Sequence, residues 1–391
     1  MHIVSKGKPT RIVNFGRPFL NEKEVQAVSE VLLSGWLTHG PKTEAFEQNF
    51  SKMIGINHAV AVSSCTAALH LGLMSHDIGP SDEVIVPAQT HVATAHAVEF
   101  CGATPVFADV DPITANVTAE TISRVLTKKT RAVQLVHFAG YPCEMDEIQA
   151  LCKANHILLF EDCAHAVGSY YKDQPVGTFG NGGSFSFYPI KHMTTIEGGM
   201  FITSQDDIAH RVRISRAFGI DTPPHKRKKP GFYDVTTLGY NYRMTEVEAA
   251  IGLVQLNKLP EIIKHRRHVA RLYTEGLKQN DYFQLPPESP HSAHGFFVYN
   301  VLVNSKTSAD RDTCLQYLKS QGIGTSIYYA TPVPLMSYYR NKYGFKEGDF
   351  PNAEHIADKS VAIPMGLHLS DDDVEYVIDK MKKWATERAG K

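Results

Sequence analysis

Between residues 59 and 161, strand-like and helix-like segments alternate, and this alternation constrains the fold more than any other feature of the chain. The strand-like pieces are Ala59–Ser63, Glu83–Pro87, Thr104–Ala108, Arg131–Val136 and Ile157–Glu161. Helical periodicity fills the gaps at Thr66–Met74, Val92–Cys101, Thr118–Leu126 and Met145–Ala154. Strands separated by stretches of this length cannot pair as hairpins. They need crossovers, which build a parallel sheet with right-handed connections. The expected class is α/β, with a mostly parallel sheet sandwiched by helices.

Two helices precede this region, Asn21–Leu33 and about Thr43–Ile54. Beyond it the rhythm changes. A helical tract from about Met244 to Leu256 is followed by a long helix from about Lys258 to Leu277. Short strands (Phe296–Leu302, Gly324–Tyr328) then mix with helices (Asp310–Gln321, Asp371–Trp384) in an α+β pattern. With 391 residues the chain can bury two cores. We expect a large domain over 1–255, including the N-terminal helical segment, and a smaller α+β domain over 256–391. The formal net charge of −1 gives no bulk field to draw in nucleic acid or membrane. No apolar run is long enough to span a bilayer, and the N-terminus has no apolar core of signal-peptide length. Cysteines at 65, 101, 143, 152, 163 and 314 match neither a disulfide framework nor a zinc site. The expectation is reduced thiols, no metal and a cytoplasmic location.

In open parallel sheets, ligands gather beyond the carboxyl ends of the strands, and unusual residues collect there. Ser64-Cys65-Thr66-Ala67-Ala68 opens a helix after the first strand; its free N–H groups and hydroxyls suit a phosphate, though an ordinary Ser N-cap would look the same. Gln89-Thr90-His91 follows the second strand. The His91 ring could stack on a flat ligand or simply start a helix. The apolar strand Ile157–Phe160 runs into Glu161 and Asp162, and a buried acid there needs donors or a cation. The stretch from Gly183 to Met200 reads GSFSFYPIKHMTTIEGGM. Strand-like Ser184–Tyr188 is stopped by Pro189, which has no N–H for a ladder, and Lys191 follows. A lysine on a tight turn after an apolar strand is partly desolvated, which frees its amine as a nucleophile; most single lysines are merely exposed. An anion cradle, a partnered acid and a lysine on one sheet edge together describe a site for pyridoxal phosphate.

The motifs extend this reading. SGWLTHGP at 34–41, AVSSCTAALHLGL at 61–73, DEVIVPAQTHVATAHAV at 82–98, VHFAGYPCEMDEI at 136–148, EDCAHAVGS at 161–169, SFSFYPIKHMTTIEGGM at 184–200 and LGYNYRMTEVEAAIGL at 238–253 resemble the DegT/DnrJ/EryC1/StrS sugar aminotransferases. The resemblance runs from about Phe15 to about Met381. It implies the aspartate-aminotransferase-like fold, pyridoxal phosphate as cofactor, and transfer of an amino group from L-glutamate to a nucleotide-linked keto-sugar. It places the Schiff-base lysine at Lys191 and the acid on the pyridine nitrogen at Asp162. His165 falls where a side chain contacts the cofactor's phenolic oxygen. Ser186 and the Cys65-Thr66-Ala67 turn fall where the phosphate is held, and His91 where a ring stacks. Asn241 matches an asparagine that reaches the phosphate of a neighbouring subunit, which implies a homodimer with composite sites. Three positions depart from the family pattern. Cys65 stands for a glycine, His91 for a larger aromatic residue, and Met336 for a histidine near the substrate.

Two other readings share these residues. A 3-dehydratase of the same family carries His at the Schiff-base position, and His192 lies one residue away; the frame SFYPIKH puts Lys191 in register instead. A non-catalytic member would have lost Lys191 or Asp162, and both are present. The segment KHMTTIEGGM leans towards amination at C4 of the sugar rather than C3. The basic run His225-Lys226-Arg227-Lys228-Lys229 is a candidate for the substrate's diphosphate, with a solvated loop as the plainer alternative.

Overall fold

The computed structural model describes residues 11–222, 229–304 and 308–389. Helices α1 (Glu22–Ser34) and α2 (Pro41–Ile54) lead into the alternating region. There the order is β1 (His58–Val62), α3 (Cys65–Met74), β2 (Glu83–Pro87), α4 (Val92–Phe100), β3 (Thr104–Ala108), α5 (Ala119–Ser123), β4 (Thr130–Val136), α6 (Met145–Ala154) and β5 (Leu158–Asp162). Each strand lies within one residue of its expected place. Helix α5 is shorter than expected. It is started by a reciprocal cap between Thr118 and Thr121 and ends by Arg124. A short hairpin, β6 (Tyr170–Tyr171) and β7 (Gln174–Pro175), precedes β8 (Gly182–Ser186) and β9 (Gly199–Thr203).

Seven strands form one sheet in the order β1-β9-β8-β5-β4-β2-β3. β9 runs antiparallel to both of its neighbours. β8, β5, β4, β2 and β3 pair in parallel. Because β9 reverses direction twice over, β1 points the same way as β8. The carboxyl ends of all strands except β9 therefore meet at one edge, together with the amino end of β9.

Alternation along β8 explains its two faces. Phe185 and Phe187 go to a fully buried aromatic cluster with Phe46 and Phe50 of α2, with ring centroids 5.2 to 6.2 Å apart. Ser184 and Ser186 are the small polar residues on the opposite face. Edge-to-face aromatic contacts of this kind add to the burial of apolar area and fix the sheet against α2.

After α7 (Asp206–Ser215), α8 (Glu246–Leu277) runs unbroken for 32 residues. The expected break near 257 does not occur. Pro260 lies inside the helix, where it removes only one hydrogen bond. Leu256, Leu259, Ile262 and Ile263 around it are buried and hold both halves in line. The boundary expected at 255–256 thus falls within a continuous helix. The last turns of α8 (Val269, Ala270, Tyr273, Leu277) join a second core with Trp384, Val377, Val301 and Ile363.

β10 (Phe283–Gln284), β12 (Tyr299–Val303), α9 (Ser308–Ser320), β13 (Ser360–Ile363) and α12 (Asp371–Ala389) build that second core, while β11 (Ser292–Ala293) lies outside it and α10 (Ser337–Tyr343) and α11 (Pro351–Lys359) pack through Tyr339, Ala353 and Ile356 into the core of the large sheet. β10, β12 and β13 make an antiparallel sheet, whereas β11 extends the β6–β7 hairpin. The strand expected at Gly324–Tyr328 is not a ladder: Ser326 makes a single bridge to Ala362, and Ile323 one to Val13. No helix among the described residues is long and apolar enough to cross a membrane. All six cysteines are free thiols.

Candidate active site

Lys191 is placed by local chemistry. Its N–H donates to the Tyr188 carbonyl at 2.9 Å, closing a four-residue turn with Pro189 in the second position, where a fixed φ is favourable. The loop beyond is tied back by Phe187 N–H to Gly198 O at 3.0 Å and Thr195 N–H to Phe187 O at 2.9 Å. Gly198 has φ +150°, and a Cβ there would meet Thr195 Oγ1 at 2.2 Å. A Cβ on Gly199 would lie 2.5 Å from Cys65 N. The glycine pair therefore lets β9 begin against the start of α3, and so joins the lysine loop to the proposed phosphate cradle.

At that cradle Ser64 caps α3. Its Oγ accepts from Ala67 N–H at 3.1 Å, and its carbonyl from Ala68 N–H at 3.1 Å. The N–H groups of Cys65 and Thr66 have no partner among the described residues, which leaves the positive end of the helix for an anion. Ser186, at the end of β8, is buried; its Oγ accepts a long bond from Tyr188 N–H at 3.4 Å and has its proton to give. The Cys65 thiol is buried and sits 4.0 Å from Asp162 Oδ1.

Asp162 closes β5 with a buried carboxylate. Ala164 N–H donates to Oδ1 at 3.0 Å and Thr94 Oγ1–H to Oδ2 at 2.9 Å. Thr94 is itself fully buried and bonded to Thr90, one turn earlier on the chain. Burial pushes the Asp162 carboxyl above its ordinary value, while those two donors and the Lys191 charge pull the other way. No lysine or arginine forms an ion pair with it among the described residues. A buried carboxylate held by these donors and without an ion-pair partner among the described residues is a fitting partner for a pyridinium N–H.

Lys191 is half-buried by exposure, yet the protein packs closely around its ammonium. Desolvation lowers its pKa to about 8, against the opposing pull of Cys65 and Asp162. The ammonium lies 4.1 Å from the centroid of the Phe297 ring. That ring also stacks on His165, with centroids 4.3 Å apart and planes 18° from parallel. His165 is buried; Nε2 meets Tyr329 Oη at 3.2 Å and Nδ1 has no partner. An orphaned nitrogen this deep fits a site that a ligand completes. His192 faces elsewhere: its Nε2 is bonded to Gly295 O at 2.9 Å.

His91 caps α4 by accepting from Ala93 N–H through Nδ1 at 3.2 Å, and it stands edge-on to Tyr329 at 6.1 Å. It remains exposed and so available to a flat ring. Asn241 is exposed, and its side chain has no bond within the chain among the described residues. Met336 is half-buried between a tight turn and α10. Of the basic run, His225, Lys226, Arg227 and Lys228 lie outside the described residues; the Lys229 ammonium is over Phe232 at 5.7 Å.

Thr94, Tyr329 and Phe297 are the residues that sequence reasoning missed. Thr94 had a local signal, since it lies four residues after Thr90 on the face of a helix that starts at the site. Tyr329 and Phe297 had none, because they arrive from more than a hundred residues after Lys191. Beside the site, His137, Glu161 and Cys163 cluster closely enough to resemble metal ligands. Glu161 is instead saturated: Gly177, Phe179 and Gly180 N–H groups and His137 Nε2 all bond to it at 2.6 to 3.0 Å. It braces the loop before β8.

The comparisons with known proteins agree with this geometry. The profile of the DegT/DnrJ/EryC1/StrS aminotransferase family matches residues 18–382. The spore coat polysaccharide biosynthesis protein SpsC of Bacillus subtilis is 37% identical over 380 residues, 96% of this chain and 97% of that protein. The aminotransferase TlmJ of Streptoalloteichus hindustanus superposes with a TM-score of 0.89 at 34% identity, covering 97% of this chain and 100% of its own. The putative sugar aminotransferase Spr1654 of Streptococcus pneumoniae is 30% identical, with coverage of 96% and 99%; its pyridoxamine-phosphate form superposes at 0.91 and its pyridoxal-phosphate form at 0.90. This chain belongs to the DegT/DnrJ/EryC1/StrS aminotransferase family, and it is a sugar aminotransferase that works with pyridoxal phosphate.

Proposed function

We propose that this protein moves the amino group of L-glutamate onto a nucleotide-linked keto-deoxysugar, at C4 in preference to C3, in amino-sugar or polysaccharide biosynthesis. The observation that carries the site assignment is the pairing, at one sheet edge, of a partly desolvated lysine with a buried carboxylate that has no ion-pair partner among the described residues. The nucleotide-sugar class and the glutamate donor follow from family membership, and the polysaccharide context from the name of the Bacillus relative. The C4 preference is supported by the resemblance of segment 191–200.

Bound pyridoxal phosphate supplies an aldehyde to carry the amino group and a ring to take up the electron pair of a broken C–H bond. Lys191 is the covalent anchor, and once displaced it carries the proton on and off the reacting carbon. Asp162, held by Thr94 and Ala164, keeps a proton on the ring nitrogen. His165 donates to the phenolic oxygen. Ser186 and the Cys65-Thr66-Ala67 turn would hold the phosphate, and His91 would stack on the ring.

The working unit is a homodimer whose Asn241 side chain completes the partner's phosphate site. Support comes from large apolar side chains left exposed in one chain: Val25, Leu32, Leu33, Trp36 and Leu37, and also Phe232, Val235 and Leu238. The Glu246 N–H bonded to Leu37 O ties the first stretch to the start of α8. Residues 1–255 and 256–391 act as a large and a small domain that share α8 as a spine. Free cysteines throughout support a cytoplasmic location. A panel of nucleotide-linked 3-keto and 4-keto sugars, assayed with glutamate, tests the reaction. Formation of 2-oxoglutarate with a 4-amino sugar is expected; turnover with 3-keto sugars alone would move the reaction to C3, and none with any sugar would overturn it.

A further inference from the structure

We propose that Tyr329 is a positioning residue: it fixes which ring nitrogen of His165 holds the proton and so makes Nδ1 a donor to the cofactor's phenolic oxygen. The inference rests on the assignment of His165 to that oxygen and adds the group that prepares it.

The His165 ring is clamped. Phe297 stacks on it, Tyr329 lies nearly parallel at 6.3 Å, and Tyr328 and Phe138 stand edge-on at 5.9 and 6.4 Å. The ring cannot turn to exchange its nitrogens, so its hydrogen bonds decide the tautomer. Burial and the Lys191 and His192 charges lower its pKa well below the ordinary value, so it is neutral with one N–H. Burial likewise raises Tyr329 well above its ordinary value, so the phenol keeps its proton.

Two arrangements remain. If Nε2–H donated to Oη, the phenol proton would have no acceptor among the described residues, and Nδ1 would be left as a bare lone pair. If Oη–H donates to Nε2, both groups are satisfied and a single N–H remains, on Nδ1. Fewer unmet buried groups favours the second. Nδ1 is then a buried donor awaiting an acceptor.

Tyr329 is held for this task from both sides of the molecule. Its carbonyl accepts from Gln89 Nε2 at 3.2 Å, and Val333 N–H donates to Ala88 O at 2.9 Å, so β2's end grips the segment. On the other side Tyr328 N–H bonds to Ser360 Oγ at 3.2 Å, at the start of β13. The C-terminal part of the chain thereby reaches the cofactor site through a phenol.

Nitrogen NMR of the full-length protein with labelled histidine, freed of cofactor, reads the tautomer; His165→Gln assigns the signal. Wild type should show His165 protonated on Nδ1, and Tyr329→Phe should shift it to Nε2–H or a mixture. Tyr329→Phe should also weaken pyridoxal phosphate binding by about tenfold, as expected for one lost hydrogen bond in a buried site. An Nε2–H signal in wild type would overturn the proposal without any variant, as would an unchanged tautomer in folded Tyr329→Phe. If the tautomer behaves as stated but His165→Gln leaves cofactor affinity and its visible absorption unchanged, the assignment of His165 to the phenolic oxygen is what fails.

Discussion

Lys191 owes its reactivity to the turn that presents it. The Tyr188–Lys191 turn brings the amine against Phe297 and within the field of Asp162, where desolvation outweighs the attraction. Labelling of Lys191 in cofactor-free protein by an amine-directed acylating reagent, followed by mass spectrometry, should therefore rise with a midpoint near pH 8. A midpoint near the ordinary 10.5 would show a solvated lysine. The same shift affects stability. Between about 8 and 10.5 the unfolded chain holds a proton on this group that the folded one has released. Its contribution to stability thus improves as pH rises through that window and is least favourable below it. Lys191 and Asp162 were legible in the sequence because each sits directly after a strand whose end could be read. The donors to Asp162 were not, since the Thr90–Thr94 spacing marks a helix face without saying that this face meets β5. Ala67 illustrates a finer limit: the turn 65–67 was recognisable, but only coordinates show that the Ala67 N–H already serves Ser64.

Elements were readable where period and length agreed. β1 to β5 and α1 to α4 came out nearly to the residue because buried parallel strands are apolar runs and their crossover helices have clear starts. The position of the antiparallel β9 between β1 and β8 was not legible, because it rests on long-range pairing. The sequence suggests a helical tract to Leu256 and a second helix from Lys258, whereas α8 is continuous because Leu256, Leu259, Ile262 and Ile263 pack both halves in line across Pro260. Helix α2 shows another long-range device. Its N-cap, Gly40, has no side chain to cap with. Glu246, the first residue of α8 and itself buried, accepts from Gly40 N–H at 2.9 Å, Lys42 N–H at 2.7 Å, and Thr43 N–H and Oγ1–H at 2.8 and 2.6 Å. One carboxylate thus serves the positive ends of two helices. Glu246→Ala would strand buried donors and should destabilise the protein by about 2–4 kcal/mol in chemical denaturation. A loss under about 0.5 kcal/mol would mean that water replaces the carboxylate.

At the scale of the whole molecule, the exposure of Val25, Leu32, Leu33, Trp36 and Leu37, and of Phe232, Val235 and Leu238, was not apparent in the sequence, because exposure is a property of the assembled surface. The proposed homodimer, in which two chains build each site, would give these side chains a place to bury. If so, mixing inactive Lys191→Ala and Asn241→Ala proteins should recover activity, since half of the mixed dimers' sites carry neither lesion. No recovery after verified subunit exchange would place each site within one chain. The most direct test of the chemistry is to reduce the cofactor-loaded protein with borohydride and locate the modification by peptide mass spectrometry. A cofactor adduct on Lys191, and its loss with the visible absorption in Lys191→Ala, is the predicted result; an adduct confined to any other lysine, or none on a protein that still transaminates, would contradict it.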